Sequence, residues 1–141
     1  FSLPRVHIED APLDMSFSGL KTAMLNLIHK AQQKGETLPV ADLAASFSAA
    51  VSEELVPRTM AAARQTGYRK VAVVGGVAAN SRIRRYLEAA CQQAGCTRYL
   101  PPLKLCGDNA AMIGCQAYFE YTEAGVTADG RLNAAATMPL V

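Results

Sequence analysis

The chain has 141 residues, of which 50% are apolar and 18% are charged, with a formal net charge of +2. These values are typical of one soluble globular domain with a sizeable core, and so small a charge does not by itself mark a nucleic-acid-binding protein. No apolar run reaches the roughly 18 residues of a membrane helix and no secretory signal is present, so we expect a cytoplasmic protein that does not contact a membrane.

The first predicted element is an amphipathic helix. Ser16 or Ser18 can cap its start, and Gly35 ends it. Its apolar residues recur at the spacing of one helix face, which predicts that this face is buried: Leu20, Ala23, Met24, Leu27, Ile28 and Ala31.

A second helix is predicted from near Pro39 to about Gln65, because proline is allowed in a first turn and Gly67 follows the helical pattern. Pro57 lies inside this helix and should kink it. The face predicted to be buried consists of Val40, Leu43, Phe47, Val51 and Leu55.

A buried strand is predicted from Lys70 to Val74, because apolar, mostly β-branched residues run without polar alternation and a turn follows at once. In that turn Gly75 and Gly76 let backbone amides approach a ligand that a Cβ would hold away, and the positive end of the next helix favours phosphate. The segment matches neither G-x-G-x-x-G nor G-x-x-x-x-G-K-[ST]. A nucleotide-like ligand and a plain tight turn are therefore both possible interpretations.

The helix after the turn has apolar residues at helical spacing from Ile83 to Ala94 and ends at Gly95. A short strand is predicted around Thr97 to Leu100. The order helix, helix, strand, helix, strand, helix indicates an α/β protein with a parallel or mixed sheet flanked by helices. Three basic residues on the third helix are interpreted as a solvated face: Arg82, Arg84 and Arg85.

The last predicted helix, from about Asn109 to Ala124, is apolar on most sides, so we expect it to be buried. Asp108 stands at its N-cap. Capping, worth about 1 kcal/mol, is one interpretation of this residue. The other is functional, because open α/β sheets bind ligands in the crevice outside the strand ends. Asp108 would there be an oxygen ligand of a metal ion bound near the phosphates.

The cysteines and histidines show no metal-ligand spacing. The chain has two histidines, His7 and His29. His29 lies on the polar side of the first helix, which favours a solvent-facing side chain over a catalytic base. The thiols contain no C-x-x-C pair, which favours buried or inert cysteines in a reducing cytoplasm: Cys91, Cys96, Cys106 and Cys115.

Three segments considered together are more specific than each alone. They are D-M-S-F-S-G-L-K-T-A from Asp14, V-G-G-V-A-A-N-S-R-I-R from Val74 and C-G-D-N-A-A-M-I from Cys106. In order and spacing they resemble the tRNA threonylcarbamoyladenosine synthases, the TsaD/Gcp family. The resemblance covers nearly the whole chain but only the C-terminal part of such a protein. It implies the fold of actin, the sugar kinases and the heat-shock-protein ATPases.

We therefore expect residues 1–141 to form a single C-terminal lobe, and the start at Phe1 rather than Met agrees with a missing N-terminal lobe. By the resemblance, the full-length enzyme transfers a threonylcarbamoyl group from threonylcarbamoyl-adenylate to N6 of the adenosine next to the anticodon. The fragment alone is expected to be inactive. The implied partners are tRNA, the adenylate and, in bacteria, the pathway proteins TsaB and TsaE.

The resemblance also implies roles for individual residues. Asn80 would contact the adenylate, and Gly75 and Gly76 would form the wall against which the nucleotide lies. Asp108 would bind one divalent metal ion, iron or zinc. The other metal ligands would be two histidines of an H-x-x-x-H motif that this sequence lacks, and no catalytic residue is assigned. Gly107 stands where the family usually has Thr, which loosens the turn before Asp108.

Two other functions stay open. An ATP-dependent phosphotransferase or ATPase could share the same superfold, because a fold does not determine its chemistry. A non-catalytic scaffold could use the predicted helix from Gly19 to Lys34 to bind a partner. The combination of three motifs favours the transferase over both.

Overall fold

The structure is a computed structural model that describes residues 1–5, 8, 10–127, 130, 131, 133 and 137. The chain divides into two compact units, Phe1–Cys106 and Gly107–Val141. The described residues also form two short 3-10 helices, Gly76–Ala79 and Leu103–Leu105. The longer elements are α1 (Ser18–Gln33), α2 (Val40–Thr66), β1 (Lys70–Ala72), α3 (Ser81–Ala94), β2 (Thr97–Tyr99) and α4 (Ala110–Ala124).

The ends of α1 agree with the prediction at only one terminus. Its N-cap is Phe17, and no side chain caps it, so the predicted serine cap is wrong. At the other end Gly35 adopts φ 67°, and Glu36 N donates to Ala31 O at 2.9 Å. Gly35 therefore ends the helix as predicted, because glycine accepts the left-handed conformation at little cost.

The predicted buried face of α1 is covered only in part. Leu20 and Ala31 are buried. The other four members of the face are half-buried: Ala23, Met24, Leu27 and Ile28. The helical spacing identified the correct face, but the extent of burial depends on the elements that pack against it.

α2 follows Pro39, continues across Pro57 and ends at Gly67, which has φ 76°. The predicted buried face of α2 is confirmed only in part: Phe47, Val51 and Leu55 are half-buried, and Leu55 packs against the core. Val40 is 77% exposed, and of the predicted residues only Leu43 is buried. The second half of α2 instead packs on α3 and β1, and this contact selects a different set of core residues: Val56, Met60 and Ala63.

β1 and β2 form a parallel two-stranded sheet in which Lys70 pairs with Thr97. This confirms the α/β class and the parallel pairing. β1 is shorter than the predicted strand, which is not buried throughout: Val71 is buried, whereas Lys70 and Ala72 in β1, and Val74 beyond its end, are exposed. Alternate residues of a strand face opposite sides of the sheet, and only the side of Val71 meets the core.

The main core of the first unit lies between α2, α3 and β1. Burial, together with the nearby Cys96, raises the pKa of the Cys91 thiol. All four cysteines are free thiols, as predicted, although Cys115 is exposed. The cluster of buried side chains consists of Val56, Met60, Ala63, Val71, Leu87 and Cys91.

α4, in the second unit, contradicts the expectation that it is buried. None of its residues is buried, and Ile113 and Tyr121 are 64% and 65% exposed. An apolar composition makes burial favourable, but it does not supply a packing partner.

In the described part of the chain, no helix has the length and hydropathy needed to cross a bilayer.

Leu87 provides a test of the core. Its side chain is 0% exposed, so Leu87→Ala should lower the free energy of unfolding by about 2–5 kcal/mol through lost burial and a residual cavity. Leu25→Ala on α1 is the control, because Leu25 is 44% exposed and its truncation should cost less than about 1 kcal/mol. Urea denaturation measures both variants. Equal losses would contradict the packing of α3 on α2.

Candidate functional site

The predicted site begins in the turn between β1 and α3. Gly75 adopts φ 81° and ψ 179°, a conformation that side chains with a Cβ rarely accept. Ala78 N donates to Gly75 O, and Asn80 N donates to Val77 O, each at 3.0 Å. The backbone of this turn, residues 75–80, is therefore fixed by its own hydrogen bonds.

The space beside both glycines is open. Among the described residues, no heavy atom lies within 4 Å of a Cβ placed on Gly75 or Gly76. The φ angle of Gly75 explains why that residue is glycine. No contact with a described residue requires glycine at Gly76, which leaves the close approach of a ligand as a physical reason for it.

Asn80 has two functional groups with different partners. Its Oδ1 accepts hydrogen bonds from Arg82 N at 3.0 Å and from Ile83 N at 3.1 Å, which makes Asn80 the N-cap of α3. These two donors fix the orientation of the amide. No described residue accepts a hydrogen bond from the Nδ2 group, so both of its protons are available to a ligand.

The cap changes one expectation about phosphate. Arg82 N and Ile83 N already donate to Asn80 Oδ1, and Arg84 N donates to Asn80 O at 3.0 Å. These amides are therefore committed within the protein, and the first turn of α3 does not offer them to a phosphate. The helix dipole still favours an anion near the turn, where the Nδ2 group of Asn80 is one donor that no described residue uses.

The sequence predicted that the three arginines of α3 form one solvated face, and this prediction is wrong. Arg82 Nε donates to Ser52 Oγ at 3.2 Å, and its guanidinium lies over the Tyr86 ring at 5.8 Å from the centroid. Arg84 is half-buried and bonds to three acceptors of its own unit. Only Arg85 is exposed. The sequence pattern placed all three on one helix but could not show which neighbours offer acceptors.

Asp108 is not the N-cap of α4, contrary to the prediction. Asn109 has that role: its Oδ1 accepts from Met112 N at 2.9 Å, and its Nδ2 donates to Gly107 O at 3.0 Å. The Asp108 carboxylate is exposed and has no hydrogen-bond or ion-pair partner among the described residues. Since a neighbour caps the helix, the carboxylate is available as an oxygen ligand.

The predicted site residues fall in different parts of the molecule. Gly75, Gly76 and Asn80 lie together in one turn, and Asp108 lies in the second unit. His29 is exposed, as predicted, and His7 lies outside the described residues. Within the part that the structure describes, no three side chains of His, Cys, Asp or Glu are close enough to hold a metal ion.

A groove of about 660 Å³ between α2 and α3 contains none of these residues. The turn lies outside this groove, whereas small-molecule sites are usually concave. The residues that line the groove include Val56, Met60, Arg64, Tyr86, Ala90 and Gln93.

A family model for TsaD, tRNA N6-adenosine threonylcarbamoyltransferase, matches residues 1–115, which include the whole turn, Asp108 and the start of α4. The chain belongs to this family. The family resemblance inferred from the three sequence segments is thereby confirmed.

Curated relatives give the same result. A tRNA N6-adenosine threonylcarbamoyltransferase of Moorella thermoacetica is 50% identical over 97% of this chain and 40% of its own length. The protein of that name from Latilactobacillus sakei is 48% identical over 95% of the chain and 39% of its own length. One from Thermosynechococcus vestitus is 54% identical over 75% of the chain and 30% of its own length. The chain thus spans about two-fifths or less of the relatives that it matches.

Substitution of Asn80 separates its observed capping role from the predicted ligand contact. Asn80→Ser keeps a capping oxygen but removes both Nδ2 donors, so the melting temperature should barely change. Loss of one ligand hydrogen bond, about 0.5–1.5 kcal/mol, should weaken binding of a non-hydrolysable adenylate analogue to the full-length protein about 2- to 12-fold. Calorimetric titration and a melting curve measure the two effects. Unchanged affinity with a lowered melting temperature would leave Asn80 as a cap only.

Proposed function

We propose that this chain is the C-terminal lobe of a tRNA-modifying acyltransferase of the actin, sugar-kinase and heat-shock-protein ATPase fold. The full-length protein would transfer a threonylcarbamoyl group from threonylcarbamoyl-adenylate to N6 of the adenosine next to the anticodon. The observation that carries this proposal is the family match over residues 1–115. The free Nδ2 group of Asn80, beside an open glycine turn, gives that match a physical basis.

The residues of the turn would bind the adenylate in two ways. Gly75 and Gly76 would let the nucleotide lie against the backbone, since no heavy atom of the described residues lies within 4 Å of a Cβ placed on either glycine. The Nδ2 of Asn80 would donate to an acceptor of the nucleotide, while its Oδ1 stays bonded to α3. The space beside the glycines is open, so the site would need further residues around the nucleotide. The rest of the full-length protein would supply them.

Asp108 fits a metal ion by the chemistry of its side chain. Its carboxylate is exposed and is not used for capping, which are the properties that an oxygen ligand requires. When bound, a divalent ion, iron or zinc, would polarise phosphate and carbamoyl oxygens during acyl transfer. Asp108 would be one ligand among several, so the chain by itself would be inactive.

The partners and location proposed for the full-length protein follow from this activity. They are tRNA, threonylcarbamoyl-adenylate and, in bacteria, TsaB and TsaE, in the cytoplasm. A phosphotransferase or ATPase of the same superfold is the second candidate, favoured only by the shared fold. The scaffold alternative gains nothing from α1, because the face that its sequence pattern singles out is at least half-buried.

The activity test uses the full-length protein with tRNA and threonylcarbamoyl-adenylate. Nucleoside mass spectrometry of the digested tRNA should detect N6-threonylcarbamoyladenosine. A tRNA with another base in place of the adenosine next to the anticodon is the control and should stay unmodified. ATP hydrolysis without any modified nucleoside, in the presence of the partner proteins, would support the phosphotransferase reading and overturn the proposal.

Asp108→Asn should lower the metal affinity of the full-length protein at least tenfold, because it removes a charged ligand at almost constant size. Asp42→Asn is the matched control, since Asp42 is an exposed carboxylate in the first turn of α2. Elemental analysis after dialysis against a weak chelator gives the metal content of both. Equal metal content in the two variants would exclude Asp108 as a ligand.

A further inference from the structure

The Arg84 side chain connects two segments of the first unit. Its Nε donates to Ala78 O in the glycine turn. Its Nη2 donates to Pro101 O at 2.7 Å and to Cys106 Sγ at 3.2 Å. One guanidinium on α3 therefore bonds both to the turn that follows β1 and to the segment that follows β2, residues 101–106.

We propose that Arg84 is a positioning residue, which holds the turn of residues 75–80 against residues 101–106 and thereby sets where Asn80 meets the nucleotide. This inference rests on the proposed function for its substrate. Its geometric part, the bracing of the turn, stands on the hydrogen bonds of Arg84 alone.

The points that Arg84 holds are themselves well packed. Ala78 is 0% and Cys106 is 3% exposed, so both acceptors belong to the protein interior. Cys106 Sγ also lies 3.5 Å from Pro102 O, which ties the second segment together. Arg84 N donates to Asn80 O, so the main chain and the side chain of one residue both bond to the turn. A shift of this guanidinium would release Ala78 O, two residues before Asn80, from its link to residues 101–106.

The chemistry of the contacts requires an arginine. The Arg84 side chain donates to two backbone carbonyls and one sulfur, all of them neutral. No carboxylate of the described residues lies within 4 Å of this guanidinium. The positive charge is therefore not used in an ion pair. A planar guanidinium can direct several N–H groups at fixed angles, whereas a lysine ammonium is a point charge on a flexible stem. Arg84→Lys should keep the charge and lose the brace.

The decisive experiment compares Arg84→Lys and Arg84→Ala with Arg85→Ala in the full-length protein. Arg85 is the next residue of the same helix and is exposed, which makes it a matched control. Steady-state kinetics should show KM for threonylcarbamoyl-adenylate raised about tenfold or more in Arg84→Ala, because small misplacements of binding groups are costly. On a logarithmic scale, we expect the rise in this KM in Arg84→Lys to be more than half of the rise in Arg84→Ala. KM for tRNA and the kinetics of Arg85→Ala should stay within about twofold of the unsubstituted protein.

Three results would overturn the proposal. In the first, Arg84→Lys has the same KM for the adenylate as the unsubstituted protein, which would mean that only charge matters. In the second, KM rises by the same factor for the adenylate and for tRNA, as expected for a partly unfolded enzyme. In the third, only the melting temperature changes, as expected for a purely structural role. If Arg84→Ala does not fold, the comparison of Arg84→Lys with Arg85→Ala decides the question, and Arg84→Lys should then raise this KM at least threefold.

A second measurement separates this proposal from the proposed function. Hydrogen exchange of the full-length protein should show faster exchange at Ala78 N and Asn80 N in Arg84→Lys, and unchanged exchange in the second half of α2. If the unsubstituted protein transfers no group to tRNA, the proposed function fails while this exchange result still supports the brace. Unchanged exchange in the turn would overturn the brace whatever the activity.

Discussion

The packing of α2 against α3 is the contact on which the rest of the first unit depends. Leu87 and Cys91 of α3 meet Val56 and Met60 of α2, and Val71 of β1 completes the same cluster. This burial fixes both the strand that enters the glycine turn and the helix that leaves it. Gly75 and Gly76 of the turn are exposed, so the position of the turn follows from the core on either side and from the buried Ala78, whose carbonyl accepts a hydrogen bond from Arg84.

Capping determines which polar groups of the candidate site remain free for a ligand. Asn80 caps α3 with its oxygen, and no described residue accepts a hydrogen bond from its Nδ2 group. Asn109 caps α4 with its oxygen and uses its Nδ2 on Gly107 O, which leaves the neighbouring carboxylate of Asp108 without a structural role. Both asparagines cap a helix, but the consequences differ. Asn80 itself offers a donor, its Nδ2 group, whereas Asn109 leaves the carboxylate of its neighbour Asp108 as a free acceptor among the described residues.

The exposed surfaces of the chain agree with its share of the relatives' length. The glycine turn is open on the side where a nucleotide would lie, and the apolar side chains of α4 are exposed. The chain spans 40% of the Moorella relative. Under the proposed function, the rest of the full-length protein would cover such surfaces and supply the other ligands of the proposed metal ion.

The sequence by itself determined the order of the elements, most helix ends, the glycine turn and the family, because these depend on local spacing, on Gly35, Gly67 and Gly95, and on three short motifs. Only the tertiary structure decided which face of α2 is buried, since its apolar residues allow more than one stripe and α3 selects among them. It also decided that Asn109 rather than Asp108 caps α4, and that Arg84 bonds to Ala78 O in the turn rather than facing solvent. Those outcomes depend on acceptors that are distant in sequence or on the φ and ψ angles of one residue, and no local pattern contains that information.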